Sequence, residues 1–261
     1  MSEQTYTTKL QAGLGLVPET QKLLEIWKPG MGAPDLLQTA LSSGEFPTMT
    51  ARRLRNIISE GFSPRYLVDG AEPAMLLQNL IGRITSQDQK QLFFLFTCRA
   101  NGILADFVRE VYWPRYAGGS SAVSKKDALD FVEAAVLEGR TTTPWSESTI
   151  RRVSSYLLGA CADFGLLGQI KGDGRLIQPF QPTLFLSSFL AHDLHFKGLG
   201  DNAVLNHEDW ALFGFGPGDA LAEIKRLSLR GELILQSAGS VVQIAWKNKN
   251  MEELANGFVD G

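Results

Sequence analysis

The chain is poor in the groups from which reactive or cross-linked sites are built. Its 261 residues include two cysteines and three histidines, too few thiols for a disulfide framework or a four-thiolate zinc site. It has no long hydrophobic run, since the densest apolar stretch, residues 92–96, is far shorter than a bilayer requires. Residues 1–5 do not form the charged-then-apolar pattern of a secretion signal. Neither sign of charge is in large excess, because 25 Lys and Arg stand against 28 Asp and Glu for a net charge of -3, so a uniformly basic nucleic-acid binder is excluded. No repeat, low-complexity tract, Gly-x-Ser-x-Gly or His-Glu-x-x-His is present. Gly214-Phe215-Gly216-Pro217-Gly218 is glycine-rich but has neither a preceding strand nor a Lys-Ser/Thr ending, so it is not a phosphate loop. Hydrophobic residues make up 44% of the chain, with 15 Phe among them, which argues against disorder. The expectation is a folded, cytoplasmic protein without a cofactor, a metal or contact with a membrane.

Averages conceal local charge. Between residues 48 and 66, Arg52, Arg53, Arg55 and Arg65 face a single acid, Glu60. Between 140 and 180, Arg140, Arg151, Arg152, Lys171 and Arg175 outnumber Glu147, Asp163 and Asp173. A modest basic face on an acidic body is therefore within reach, and such a face is where phosphate would bind.

Proline and glycine punctuate the first ninety residues into short helices. Pro18 opens one, and Lys28-Pro29-Gly30 closes it. A second spans 34–43 with Leu36, Leu37, Ala40 and Leu41 expected inside, and a third starts near Thr50 and ends by Gly61, before Ser63-Pro64. This pair has the outline of a helix-turn-helix. At 100° per residue, Ala51, Leu54, Ile57 and Ile58 share one face of the third helix, leaving Arg52, Arg55, Asn56 and Ser59 opposite; Arg53 counts with the arginines among the candidate DNA contacts. Arginine can pair with guanine or phosphate, and asparagine with adenine. Residues 75–115 are helical and strongly apolar. Their phenylalanines lack interleaved cations and read as core, with Cys98 a buried, inert thiol.

Gly118-Gly119-Ser120-Ser121 reads as a linker. Beyond it Ser124 caps a helix that carries Ala128, Leu129, Val132, Ala135 and Val136 inward. Ser146 caps the next helix, whose Ile150, Val153, Leu157, Cys161 and Phe164 fill one face. Its opposite face holds Ser148, Arg151, Ser155, Gly159 and Ala162, with Arg152 at the edge, and is small enough for another surface to approach. Gly165 ends this helix, and an Asp-Gly turn at Asp173 joins two short runs into a hairpin. Helix, turn, helix, hairpin is the order of a winged helix, in which the second helix docks in the major groove and the hairpin lies on flanking backbone. Ser148 and Arg151 hold the docking position, with Arg152 beside them at the edge, and Lys171 and Arg175 flank the wing tip.

A second helix and hairpin follow. The helix spans 217–230, and the strands 232–236 and 240–246 join at 237–239. Lys225, Arg226, Lys247 and Lys249 could extend a phosphate-binding surface. His192 and His195 read as ordinary helix residues, and Asp219 and Glu223 as a solvated face. The expected architecture is mostly α with small β-hairpins: a helical N-terminal domain with a helix-turn-helix (1–117), a winged-helix-like domain (122–190), and a C-terminal helix plus hairpin packed on it (191–261).

Several blocks resemble the BrxA family of BREX bacteriophage-defence proteins. They are Trp27-Lys28-Pro29-Gly30-Met31, Asp106-Phe107-Val108-Arg109-Glu110-Val111-Tyr112-Trp113-Pro114-Arg115-Tyr116, Pro144-Trp145-Ser146-Glu147-Ser148-Thr149-Ile150-Arg151-Arg152, Asp163-Phe164-Gly165-Leu166-Leu167, Asp209-Trp210-Ala211-Leu212-Phe213 and Gly239-Ser240-Val241-Val242. The resemblance implies a non-enzymatic component of a phage-exclusion system that binds double-stranded DNA, built mostly of helices. It brings no catalytic residues with it. The alternatives are an adaptor between other BREX proteins and an RNA-binding helical domain.

Overall fold

In the computed structural model, which describes residues 5–12, 14–238 and 241–257, the N-terminal helices form where their end signals stand. Helix α1 (Val17–Ile26) has proline in its first turn and buries Leu23 and Leu24. Helix α2 (Ala33–Ser43) ends at Gly44, whose φ of 75° is the left-handed conformation that glycine adopts freely. It buries Leu36 and Ala40, but Leu41, expected inside, is 46% exposed. Helix α3 (Ala51–Asn56) is capped by Thr50, whose hydroxyl accepts from the Arg53 N–H. Ala51, placed inward by periodicity, is exposed, whereas Leu54, Ile57 and Ile58 are buried.

The expected stop at Gly61 does not occur. The chain continues through a π-helical turn, Ile57–Phe62, into α4 (Ser63–Tyr66). The Ser63 N–H reaches back to the Ile58 carbonyl, and this wider turn accommodates Pro64, which has no N–H and would clash with a carbonyl in a regular helix. After α5 (Glu72–Leu80) and α6 (Ser86–Ala100), the device recurs. Helix α7 (Gly102–Phe107) passes through π-helical Val108–Tyr112 into α8 (Trp113–Ala117), the Trp113 N–H bonding Val108 just before Pro114. In α6, Phe93, Phe94 and Leu95 are fully buried. Tyr66 meets Phe93 and Phe96 edge-on, and Phe94 meets Phe164; such ring pairs add to what burial alone contributes.

Residues 118–121 turn into a strand that the sequence did not reveal, β1 (Ala122–Ser124). Its last residue, Ser124, is also the cap of α9 (Lys125–Leu137), in a reciprocal box with Asp127. Helix α10 (Glu147–Asp163) leads to β2 (Leu167–Lys171) and β3 (Gly174–Ile177), and the antiparallel sheet runs in the order β1-β3-β2. At the β1–β3 contact, a Cβ on Gly174 would lie 2.4 Å from the Val123 carbonyl oxygen, so only glycine fits there.

The remaining elements are α11 (Leu184–Phe196), α12 (Asp201–Leu205), a 3-10 turn at Glu208–Phe213, α13 (Pro217–Leu229), the antiparallel pair β4 (Leu233–Ala238) and β5 (Val241–Trp246), and α14 (Met251–Gly257). The expected turn at 237–239 falls partly outside the described residues. Both outer edges of this hairpin are capped by side chains. The Leu235 N–H donates to the Ser228 hydroxyl, and the Ile244 N–H to the Asp201 carboxylate, which blunts edges open to strand addition. By internal contact the chain forms two compact units, residues up to Gln78 with Phe93–Phe180, and Asn79–Leu92 with residues from Gln181 onward. The architecture is predominantly helical with small antiparallel β-elements. Among the described residues, no helix is long and apolar enough to cross a membrane.

Candidate nucleic-acid interface

Helix α10 presents its N-terminal end to solvent in a defined conformation. The Ser146 hydroxyl accepts from the Thr149 N–H at 3.3 Å and lies 3.0 Å from the Ser148 hydroxyl. Ser148, Arg151 and Arg152 are all exposed. Arg151 forms an ion pair with Glu147 one turn earlier, the two side chains being 69% and 77% exposed. A pair so solvated contributes about 0.3–0.5 kcal/mol, little enough for a phosphate to displace the carboxylate. Arg152 has no acidic partner among the described residues.

At the hairpin tip, Lys171 pairs with Gly174 and Ile170 with Arg175 across the β2–β3 ladder. Lys171 is exposed and without an ion pair among the described residues. Arg175 is half-buried, and its guanidinium donates to the Gly168 carbonyl at 3.1 Å, so it also braces the hairpin. Ile170 is 66% exposed beside them.

On α3, the side chains of Arg52, Arg53, Arg55 and Asn56 are all exposed, and the three arginines have no acidic partner among the described residues. Two cations that swelled the local charge along the sequence do not reach the surface in a usable form. Arg65 is 2% exposed and donates to the carbonyls of Leu14 (2.8 Å) and Gly15 (3.2 Å); burial lowers its pKa. Arg140 forms ion pairs with Glu110 (3.3 Å) and Glu138 (2.9 Å). It also donates to the Tyr6 hydroxyl, which in turn donates to Asp106 at 2.6 Å. Burial first, then this bond to Asp106, raises the Tyr6 pKa.

The small outward face of α10 is open only along its N-terminal half. Gly159 is buried, and a Cβ there would lie 2.9 Å from Leu14 Cδ1. The surface that approaches this face is the chain's own N-terminal segment. Nothing in local periodicity signals a contact between residues so distant in sequence. Cys161 is buried beneath the helix, and burial pushes its thiol up to about 12, well away from reactivity.

The C-terminal cations are differently placed. Arg226 is held by Glu223 at 2.6 Å, Arg230 by Glu232 at 3.5 Å, and Lys247 by the Gly231 carbonyl. Glu223, read from sequence as part of a solvated face, is 6% exposed and also accepts from Ser187 at 2.7 Å. Lys225 and Lys249 remain exposed. A cleft of about 340 Å³ opens between Arg230, Glu232, Lys247, Asn248 and Leu254. His192 is fully buried between the Ser188 carbonyl (2.8 Å) and Asn248 (3.4 Å), and His195 stacks on Trp246 at 4.3 Å. Among the described residues, no three His, Cys, Asp or Glu side chains converge as a metal would require.

The family model described as BrxA matches residues 4–193. A crystal structure of an uncharacterized protein from Magnetospirillum magneticum superposes with a TM-score of 0.59 at 14% identity, covering 74% of this chain and 95% of the other. At that identity the likeness is one of fold. No curated protein matches the chain.

Proposed function

We infer that this chain, which belongs to the BrxA family, is a non-enzymatic, BREX-associated protein that binds double-stranded DNA. The succession β1-α9-α10-β2-β3, with its sheet in the order β1-β3-β2, reads as a winged helix. In such folds the second helix of the pair enters the major groove by its N-terminal residues. Here that end carries Ser148, Arg151 and Arg152, with a helix N-terminus that itself favours anions. Lys171 and Arg175 on the wing suit flanking phosphates. Helices α2 and α3 read as a further helix-turn-helix, with Arg52, Arg53, Arg55 and Asn56 outward.

One observation carries the reading. In a chain of net charge -3, Arg52, Arg53, Arg55, Arg152 and Lys171 stand exposed with no acid to neutralise them among the described residues. If about five phosphates are contacted, the logarithm of affinity for a duplex oligonucleotide falls against the logarithm of salt concentration with a slope of about -4 to -5. Fluorescence anisotropy across a salt series measures it, and binding indifferent to salt would overturn the reading. In the same assay duplex DNA outcompetes single-stranded RNA; the reverse order would instead favour an RNA-binding role.

Exposed apolar groups favour a second reading, that of an adaptor docking other BREX proteins. Leu137 at the end of α9 is 87% exposed and Ile170 on the wing 66%, two apolar side chains that a protein partner would cover. Co-purification with those proteins after nuclease treatment, without retardation of DNA, would support it.

A further inference from the structure

Residues 14–16 join the two arginine-bearing helices through three consecutive contacts. Leu14 and Leu16 both lie at positive φ, 44° and 51°, a region that branched, bulky residues rarely enter. Each is held there by a glycine opposite it. Leu14 sits against Gly159 of α10, where a Cβ would come within 2.9 Å of it. Leu16 sits against Gly61, in the π-helical turn that continues α3, where a Cβ would come within 2.7 Å. Between them, the Gly15 N–H donates to Asp163 at the end of α10 at 3.0 Å, and a Cβ on Gly15 would lie 2.6 Å from the Asp163 Cβ. The carbonyls of Leu14 and Gly15 accept from Arg65 of α4, a buried guanidinium whose described hydrogen-bond acceptors are these backbone oxygens. A buried cation needs such acceptors, so the strained backbone and the arginine fix one another.

We propose that Leu14-Gly15-Leu16 is a clasp that holds the helix bearing Arg52, Arg53 and Arg55 and the helix bearing Arg151 and Arg152 in one fixed pose. In that pose both helices engage a single duplex. The second statement rests on the DNA-binding reading; the first does not. Leu14 and Leu16 are thus positioning residues that touch no nucleic acid themselves.

Two measurements test the clasp, each on the full chain. Spin labels at Arg52→Cys and Arg152→Cys, with the buried Cys98 and Cys161 left in place, report the separation of the two helices by pulsed electron paramagnetic resonance. The clasped chain gives a narrow distance distribution, and adding Leu14→Ala with Leu16→Ala widens it at least about twofold. A distribution that stays narrow overturns the clasp whether or not DNA binds. Leu14→Met alone keeps the Gly159 notch filled and retains the narrow distribution. Should the double alanine variant not fold, Gly159→Ala, which displaces Leu14 instead of deleting it, takes its place with the same expectation. In the unlabelled chain, the salt slope of duplex binding falls from about -4 to -5 to about -2 to -3 in the double alanine variant, as one helix's phosphates are lost. An unchanged slope refutes the positioning role. A wild-type chain that shows the widening in its variant but binds no duplex would remove the DNA reading and leave the clasp standing.

Discussion

Two regions of this protein share an element order and differ in what they do with their cations. In each, a helix stops at a left-handed glycine and the chain turns into a hairpin: α10 at Gly165 (φ 85°) before β2 and β3, and α13 at Gly231 (φ 77°) before β4 and β5. In the first region Arg152 and Lys171 are exposed without acidic partners among the described residues, and Arg151 is held only by a solvated carboxylate. In the second, Lys225 and Lys249 stay exposed, but Arg226 is bound to an acid that is itself buried, and Lys247 and Arg230 are tied to the hairpin's own base. The first α13 turn also carries Asp219, whose carboxylate caps Gly216 at 2.7 Å. A helix followed by a hairpin is therefore a scaffold, and the commitment of its charges decides what it can bind.

Reversing charge in matched pairs separates the two regions most strongly. On the DNA-binding reading, Arg151→Glu with Arg152→Glu should weaken duplex binding about a hundredfold on any sequence, because each reversal would remove a phosphate contact and add a repulsion. Lys225→Glu with Arg226→Glu should change it by no more than about threefold. Anisotropy at fixed salt, with folding checked by circular dichroism, distinguishes the two. Equal losses would mean that both hairpin regions touch the duplex.

How much of this was legible in the sequence depended on the distance over which each feature is decided. The caps at Ser124 and Ser146 and the Asp173-Gly174 turn were readable, because a cap or tight turn is settled within four residues. Strand β1 was not: three residues carry no periodicity, and its partner, Gly174 to Leu176, lies some fifty residues on. Gly61 with Ser63-Pro64 reads as a helix end because proline breaks a regular helix, whereas here a π-helical turn absorbs Pro64, as another does before Pro114. Arg65 and Arg140 counted as surface cations because their burial depends on Leu14, Gly15 and Tyr6, far away in sequence. Helix periodicity turns Arg52 and Arg55 outward and a tight turn exposes Lys171 without help from elsewhere, and all three are exposed.

Acidification separates the regions in another way, since His192 and His195 both lie in α11. Burial holds His192 below its usual pKa, reinforced by His195, and burial likewise lowers His195. In the unfolded chain both take up a proton near the ordinary histidine value of about 6.5. The neutral, folded forms therefore stabilise the unit fully above that pH, and the contribution is lost as pH falls through it toward the lowered folded values. Hydrogen exchange at pH 7 and pH 5.5, corrected for intrinsic rates, should show α11 losing protection first while α10 keeps its own. Equal loss in the two helices would contradict the assignment of the acid-sensitive core to His192.

The smallest expected difference lies at the helix N-termini. Helix α10 is capped by a side chain, Ser146, whereas α13 begins at Gly216, which has none. Removing a serine cap costs about 1 kcal/mol, and converting glycine to serine at such a position gains only a few tenths. Ser146→Ala should therefore lower the midpoint of thermal unfolding by a few degrees. It should also weaken duplex binding, because the cap orders the turn that carries Ser148 and Arg151. Gly216→Ser should raise the midpoint slightly: its φ of -81° suits any residue, and its Cβ would meet the Asp219 carboxylate at 3.3 Å, a separation that the carboxylate can widen by a small rotation. It should leave duplex affinity unchanged. Binding that responds to Gly216→Ser as it does to Ser146→Ala would place α13 on the nucleic acid after all, and differential scanning fluorimetry beside anisotropy decides the matter with two single substitutions.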